Sequence, residues 1–374
     1  MRFETLTVHA GGGPDRATGA VAPPIHLATT FARDESGTPL GGHTYIRESN
    51  PTQDLLEAAL APLEGGEASL VFGSGMSAGI SLLLALAPGA RVILPDDAYY
   101  GYGIAGREFL PAWGGRAEFV PMEDLDALAR ALAAERTTLV WLETPSNPLL
   151  KVTDLARAIA IAKEAGALTL VDSTFATPVL QRPLALGADV VLHATTKYIG
   201  GHSDVQGGVL VFARRDGLFD KVAHVRHIAG TVASPFNSWL VLRGIRTLAC
   251  RVPVHAASAL AVARAIEAHP AVRVVHYPGL PSHPGHEIAK RQMSAFGGML
   301  SFQTNGEEKA LSVVARARLF VRATSLGGVE SLIEHRATSE GPGSRTARDL
   351  IRLSIGLEHP DDLIADLMQA LGSS

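Results

Sequence analysis

Cysteine is almost absent: Cys250 is the single one in 374 residues. A disulfide framework within the chain is thereby excluded, and so is a zinc site built from thiolates. Neither sign of charge dominates, with 33 Lys and Arg against 37 Asp and Glu and a net charge of −4. Nothing electrostatic therefore favours nucleic acid or an anionic membrane as a partner. No uncharged apolar run reaches the ~18 residues that a membrane-spanning helix needs. Met1-Arg2-Phe3-Glu4 carries no basic region followed by an apolar run, so no signal peptide is expected and the expected location is the cytoplasm. No G-x-G-x-x-G follows the first strand, which argues against a Rossmann nucleotide enzyme. Gly73-Ser74-Gly75 is not followed by the Gly-Lys-Ser/Thr of a Walker loop. His276, His283 and His286 lie close together, but proline and glycine separate them and no carboxylate spacing completes a ligand set, so no metal is expected.

What is present is ordinary globular usage tilted toward burial, with 47% apolar and 19% charged residues. The length suffices for two domains, each with its own core. Residues 1–50 read as an arm, because Gly11-Gly12-Gly13-Pro14, Pro23-Pro24 and Gly41-Gly42 interrupt any amphipathic period. An arm of that length without a core must lie on the main domain or on a neighbouring subunit. A helix is expected from about Thr52, capped by Asn50 or Thr52, with Pro51 in its first turn and Leu55, Leu56, Ala59, Leu60 and Leu63 on one face. Gly65-Gly66 should close it. A strand at 68–72, the turn Gly73-Ser74-Gly75-Met76-Ser77 and a helix at 78–87 follow. Further strands at 91–94, 117–120, 138–142, 168–171, 190–192 and 208–212 are separated mostly by helices, one at 122–134 and one opened by Thr153. Seven short buried strands alternating with helices predict an α/β fold with a largely parallel sheet covered on both faces. After Phe212 the pattern changes to a long helical region at 236–268 with a break at Pro253. A smaller α+β unit then gathers strands at 272–275, 298–303, 319–323 and 351–355 with helices at 310–318 and 360–371. By strand alternation Arg352 shares a face with Leu350 and Ser354, opposite Ile351, Leu353 and Ile355.

Sites in parallel sheets lie at the carboxyl ends of the strands. Gly73-Ser74-Gly75-Met76, Tyr99, Asn147, Asp172 and Lys197 all fall there. A glycine turn at a helix start points bare backbone N–H groups and the helix dipole at whatever binds, which makes an anion site. Arg47 is of the type that recognises phosphate in bidentate fashion. Lys197 follows a buried strand within Thr195-Thr196-Lys197-Tyr198, with no amphipathic pattern to explain it as a surface charge. Asp172 ends a second buried strand. A carboxylate and an amine at two strand ends are the equipment for pyridoxal 5'-phosphate (PLP): the lysine forms a Schiff base and the aspartate pairs with the protonated pyridine nitrogen. Desolvation disfavours the charged amine, so the free base needed for that bond becomes accessible.

The same residues carry a resemblance over essentially the whole chain. Tyr45-x-Arg47 with Asn50-Pro51-Thr52, Phe72-Gly73-Ser74-Gly75-Met76-Ser77-Ala78, Glu143-Thr144-Pro145-Ser146-Asn147-Pro148 and Val171-Asp172-Ser173-Thr174-Phe175-Ala176 are its first half. Thr196-Lys197-Tyr198, Gly201-His202-Ser203-Asp204, the stretch from Ser325 to Leu332 and Ile351-Arg352-Leu353-Ser354 complete it. Together they resemble the transsulfuration enzymes, the PLP-dependent Cys/Met metabolism family. The resemblance implies the aspartate-aminotransferase-type fold (fold type I), with an N-terminal arm over 1–50, a PLP-binding domain over 51–233 and a C-terminal α+β domain over 234–374. It implies Lys197 as Schiff-base lysine and proton shuttle, Asp172 with Thr174 beside it at the pyridine nitrogen, and Gly75, Met76 and Thr196 on the phosphate. Tyr45 and Arg47 would reach the phosphate of a neighbouring subunit in a homo-oligomer, a tetramer with shared active sites. Tyr99 resembles the tyrosine stacked on the cofactor ring, and Asn147 the residue near the cofactor's 3-oxygen and the substrate. Arg352 with Ser325 resembles the clamp on the substrate α-carboxylate, and Glu330 the glutamate of the γ-acting cystathionine enzymes.

Four features depart from the family pattern. Ala194 stands where a serine is usual, Tyr100-Gly101-Tyr102 follows Tyr99, Ile104 replaces an arginine with Arg107 nearby, and the segment after His335 is shortened and lacks Met-Thr-His. The expected function is that of a PLP-dependent lyase or transferase acting at the γ-carbon of cystathionine or an O-acyl-homoserine, as a cystathionine γ-lyase or γ-synthase. Its expected partner is a small sulfur amino acid or homoserine ester. Cystathionine β-lyase and methionine γ-lyase are the alternatives within the family, and a non-catalytic binding protein on the same fold is the alternative of another class. The residues leave open lyase against synthase and γ against β cleavage.

Overall fold

The computed structural model describes residues 1–372. Seven strands form one sheet: β1 (Ala68–Phe72), β2 (Arg91–Pro95), β3 (Arg116–Val120), β4 (Leu139–Glu143), β5 (Leu168–Asp172), β6 (Val190–His193) and β7 (Gly208–Phe212). Their spatial order is β1-β7-β6-β5-β4-β2-β3, and β7 alone runs antiparallel to its neighbours. The carboxyl ends of β1, β2, β4, β5 and β6 therefore meet along one edge. These strands are apolar runs rather than alternating ones because helices cover both faces. On one face Leu82, Leu94, Trp141, Leu170, Leu192 and Phe212 share a core with the helices Gly75–Ala85 and Gly217–Ala229. On the other, Ile93, Val140, Leu142 and Val171 pack on the helices Leu125–Ala134 and Leu155–Glu164.

A second sheet has the order β10-β11-β12-β9-β8, built from β8 (Val272–His276), β9 (Met299–Thr304), β10 (Val321–Arg322), β11 (Leu332–His335) and β12 (Leu350–Ser354). Its own core joins Leu300, Phe302, Ile333, Ile351 and Leu353 to the helices Leu248–Glu267, Glu307–Arg316 and Pro360–Leu371. Ile351, Leu353 and Ile355 lie in that core and Arg352 does not, as strand alternation requires.

Several local expectations are corrected. The helix after β1 opens at Gly75 rather than at Ala78: Ser74 accepts from the Ser77 backbone N–H and Ser77 closes a capping box, so the glycine turn is itself the first helical turn. Asp154, not Thr153, caps the helix Leu155–Glu164, while the Thr153 N–H donates to Thr144 Oγ1 at 3.1 Å. The long helical region breaks between Pro235–Ile245 and Leu248–Glu267, and Pro253 sits inside the second helix. So near the helix start, proline removes a single backbone bond and the helix continues past it. The arm contains one short helix, Phe3–Val8. The strand β11 and the short helices His286–Gln292 and Arg336–Glu340 were not expected from sequence. As expected, Asn50 caps Pro51–Glu64 and accepts from Thr52 N–H, and Gly65 ends that helix in the left-handed conformation.

Candidate active site

A cavity of about 200 Å³ opens where the carboxyl ends of the first sheet face β12 of the second. Its walls include Gly75, Met76, Tyr99, Asn147, Asp172, Thr174, Thr196, Lys197, Ser325 and Arg352. Ten residues singled out by sequence position thus converge from strands and loops far apart in the chain. Tyr45, Arg47 and Glu330 do not line it. Arg47 Nη1 donates to the His227 carbonyl at 2.9 Å, and its guanidinium lies 5.7 Å from the centre of the Tyr45 ring. Glu330 Oε1 accepts from Ser203 Oγ and stands beside Gly328.

Lys197 follows β6 and is partly buried; its Nζ donates to Ser325 Oγ at 2.7 Å. Burial, and then the positive charges of Arg352 and Arg336, lower its pKa from 10.5 to about 8. A large share of the amine is therefore neutral just above physiological pH, as a nucleophilic lysine requires. Asp172 ends β5 and is 7% exposed. Its Oδ1 accepts from Thr174 N at 3.0 Å and from Thr174 Oγ1 at 2.6 Å, and Thr174 Oγ1 in turn accepts from Ala194 N at 2.9 Å. Burial raises the Asp172 pKa against the effect of those hydrogen bonds. A buried carboxylate in that condition is settled by a cation presented from the cavity.

Two residues in the same region were read from sequence only as parts of motifs. Glu143 ends β4 in register with Asp172, and its Oε2 accepts from Tyr99 N at 2.7 Å. Burial first, and the nearby Asp172 charge second, push its carboxyl well above the usual range, against the hydrogen bond by which it anchors Tyr99. Tyr102 lies beneath Tyr99, edge-on, with ring centres 5.9 Å apart. Its hydroxyl donates to the Gly75 carbonyl at 2.6 Å.

The anion-binding end is the start of the helix Gly75–Ala85. Gly75 has no room for a side chain, since a Cβ there would stand 2.8 Å from Ala194 Cβ. Gly75 also lines the cavity, and its amide lies in the first turn of the helix, at the positive end of the helix dipole. Thr196 Oγ1 donates to the Gly207 carbonyl at 3.1 Å and accepts from Gly207 N at 3.0 Å, which ties the Lys197 loop to the segment before β7. Arg352 is 3% exposed. It donates to Asn147 Oδ1 at 2.9 Å, to the Ser325 carbonyl at 3.1 Å and to the Glu334 carboxylate. Burial brings it down to about 10, still protonated at neutral pH. That bond orients the Asn147 amide, with its oxygen toward Arg352.

PLP fits these residues on their own chemistry: a glycine-bared helix start for a phosphate, a neutral-prone amine for a carbonyl, and a buried carboxylate in want of a cation for a pyridinium. The histidines at 276, 283 and 286 take no part. His276 Nε2 pairs with Gln303, His283 Nδ1 accepts from Gly285 N, and His286 Nδ1 pairs with the Pro278 carbonyl. Among the described residues no group of acidic, histidine or cysteine side chains is arranged to hold a metal ion, and no helix is long and apolar enough to cross a membrane.

Comparison with known proteins agrees with this chemistry. The family described as Cys/Met metabolism PLP-dependent enzyme matches residues 4–372. A cystathionine gamma-synthase of Mycobacterium bovis is 48% identical, over 98% of this chain and 96% of the relative. A cystathionine beta-lyase of Coxiella burnetii is 43% identical, over 99% and 97%. The crystal structure of a cystathionine gamma synthase from Xanthomonas oryzae pv. oryzae, in complex with aminoacrylate and cysteine, superimposes with a TM-score of 0.95 at 42% identity, over 99% of this chain and 98% of that one.

Proposed function

The chain belongs to the Cys/Met metabolism PLP-dependent enzymes, and from that premise we propose that it is a transsulfuration enzyme acting at the γ-carbon of cystathionine or an O-acyl-homoserine. The observation that carries the proposal is the convergence of Lys197, Asp172 and Arg352 on one cavity, with the Lys197 amine held by Ser325. The γ-synthase relative, at 48% identity, favours the γ-carbon.

In this reading Lys197 would hold the cofactor through Nζ, and Asp172, oriented by Thr174, would pair with its pyridine nitrogen. Gly75, Met76 and Thr196 would hold the phosphate, and Tyr99 and Asn147 would bind the ring and its 3-oxygen. Bound there, PLP supplies an electron sink for the charge that develops at the substrate α-carbon. Arg352 fixes the substrate α-carboxylate by its guanidinium. The free amine of Lys197 would take the α-proton, and Ser325 Oγ, which accepts from Nζ at 2.7 Å, would orient it. Release of the γ-substituent would also require a proton to be taken from the β-carbon, a second task for the Lys197 amine. The 2-oxo acid of a lyase or the thioether of a synthase follows, according to whether water or a thiol completes the reaction.

The arm over 1–50 is assigned to a neighbouring subunit. Tyr45 and Arg47 stand together outside this chain's own cavity, which supports their reaching the phosphate of a second copy. The assembly is then a homotetramer with active sites shared between subunits, each subunit built of the arm, a PLP-binding domain over 51–233 and an α+β domain over 234–374, and the protein works in the cytoplasm. Glu330, bonded to Ser203 in the single chain, would act on substrate specificity from the rim of the site.

The test is incubation of the purified holo-protein with L-cystathionine, and with O-succinyl- or O-acetyl-L-homoserine plus cysteine, with products identified by mass spectrometry. Cysteine with 2-oxobutyrate is expected from γ-lysis, and cystathionine from γ-synthesis. Homocysteine with pyruvate would assign the β-lyase reaction instead. A protein that neither turns over these substrates nor retains cofactor on Lys197 after borohydride reduction would be a binding protein on this fold.

A further inference from the structure

Arg336 has entered so far only through its charge beside Lys197, yet it lines the same cavity. It follows β11 and opens the short helix Arg336–Glu340. Its residue is 7% exposed, and it lines the same cavity as Lys197, Asp172 and Arg352. It also lines the adjoining opening beside Tyr99, Tyr100 and Arg322, so it stands on the path from Lys197 outward. Two carboxylates hold it in place: Nε donates to Glu340 Oε1 at 2.8 Å, and Nη1 lies 3.4 Å from both oxygens of Glu334. Glu334 also holds Arg352. One buried carboxylate thus spaces two guanidiniums along a single wall. Among the described residues Arg336 Nη2 makes no hydrogen bond to the protein. A guanidinium carries five donors in a planar fork, and a buried one with unused donors is completed by an anion of matching geometry.

We propose that Arg336 is a specificity-determining residue that binds a second anionic group, a carboxylate or a phosphate, at the far end of the substrate's γ-substituent. The proposal rests on the reading that the cavity takes a γ-substituted α-amino acid. With the α-carboxylate on Arg352 and the α-carbon at Lys197, the γ-substituent extends toward the opening that Arg336 lines. The field of Arg336 reaches the reacting amine, since it contributes to the lowering of the Lys197 pKa. A substrate anion would take up that charge.

The measurement is kcat and KM of the holoenzyme with cysteine and three esters: O-succinyl-L-homoserine, O-phospho-L-homoserine and O-acetyl-L-homoserine. The wild type should prefer at least one anionic ester over the neutral one, and the arm that wins identifies the anion as carboxylate or phosphate. In R336M the ratio of kcat/KM for that ester to kcat/KM for the acetyl ester should fall about tenfold to a hundredfold. The fall should lie in KM, the mark of a uniformly bound group. R336K, which keeps the charge and the link to Glu334, should recover part of it. An equal loss on all esters in both variants would mean a structural role through Glu334 and Arg352, and would overturn the proposal. So would a wild type indifferent to the charge of the ester. If neither an ester nor cystathionine is turned over, the function reading has failed; if the esters alone are not, its synthase arm has, and in either case the proposal is decided by binding of non-reacting probes, followed by the cofactor absorbance. L-2-aminoadipate binding more tightly than L-norleucine, with the difference lost in R336M, would support it; equal affinities would overturn it.

Discussion

Ser325 hands one end of the site to the other: its hydroxyl accepts from Lys197 Nζ at 2.7 Å, and its carbonyl accepts from Arg352 at 3.1 Å. It does so at a φ of 90°, a conformation that L side chains avoid. Strain of this kind persists only where the surroundings over-determine it. Ser325→Ala keeps the backbone and removes the acceptor, so kcat should fall about tenfold, the worth of one hydrogen bond, while the cofactor stays attached. Ser325→Gly should relieve the strain and raise the melting temperature while losing the same activity. A serine-to-alanine variant with unchanged kcat would show that Lys197 needs no help from that hydroxyl.

Lys197 sets the pH behaviour of cofactor loading. Its pKa falls from 10.5 to about 8 on burial beside Arg352 and Arg336. Below about 8 the folded chain bears the cost of the buried ammonium in full. Between about 8 and 10.5 the unfolded chain binds the more protons, so this group's contribution to the stability of the cofactor-free protein rises with pH across that window. The rate of PLP attachment to the cofactor-free protein, followed by absorbance and by borohydride trapping, should therefore climb with pH and level off above about 8. Lys197→Ala should trap nothing. A rate independent of pH across that range would reject the lowered pKa.

Asp172→Asn is a test of the charge rather than of the shape. Thr174 can still donate to the amide oxygen of the variant, so the side chain keeps its place. The negative charge facing the ring is gone, and turnover should drop about 10²- to 10³-fold. Cofactor attachment at Lys197 should survive. Wild-type turnover in Asp172→Asn would remove the carboxylate from the chemistry.

The phosphate end is backed by Tyr102, whose ring meets that of Trp141 at 4.4 Å, tilted by 50°. A Cβ at Gly79 would overlap the Tyr102 ring and lie 2.6 Å from Trp141 Cη2. Gly79→Ala should consequently displace Tyr102 from the Gly75 carbonyl and weaken PLP binding, read as a higher cofactor concentration needed for half-saturation. Overpacking of this sort costs about 1–3 kcal/mol. Pairing Gly79→Ala with Tyr102→Ala should restore part of the affinity. Additive losses would dismiss the coupling.

Sharing of sites between subunits has a direct assay. Lys197→Ala and Arg47→Ala should each be inactive or nearly so. Mixed by unfolding and refolding together, they should regain activity, because one chain's Arg47 would complete the other's Lys197 site. A mixture as inactive as its parts would assign Arg47 a role in its own chain, where it donates to the His227 carbonyl.

Much of this arrangement was legible in the residues. The strands leading to Lys197 and Asp172 announce themselves as short apolar runs that end abruptly in polar groups, and a parallel sheet gathers such ends on one edge. The Arg352 side followed from a period of two. Other parts left no such mark. Leu332–His335 is a strand of four residues, all buried, so it shows neither alternation nor length, and with it went Glu334 and Arg336. Glu143 looked like one letter of a proline-rich turn, and its value arises from register with Asp172 across two strands. Pro253 advertised a helix break that the chain made instead at Arg246 and Thr247, between two helices with separate packing demands. Glu330 was expected with the substrate residues, but lies outside the cavity that this chain forms by itself.

The overlap between position 79 and the ring of Tyr102 also has a consequence for descent. One small volume is claimed by three places in the sequence, 79, 102 and 141, so they carry a linked inheritable choice. A lineage that keeps the phenol at 102 must keep glycine at 79, and one that gives up the phenol can fill 79 with a methyl group only if the indole at 141 also draws back. Neither change can spread first without passing through a chain whose helix start has lost its support.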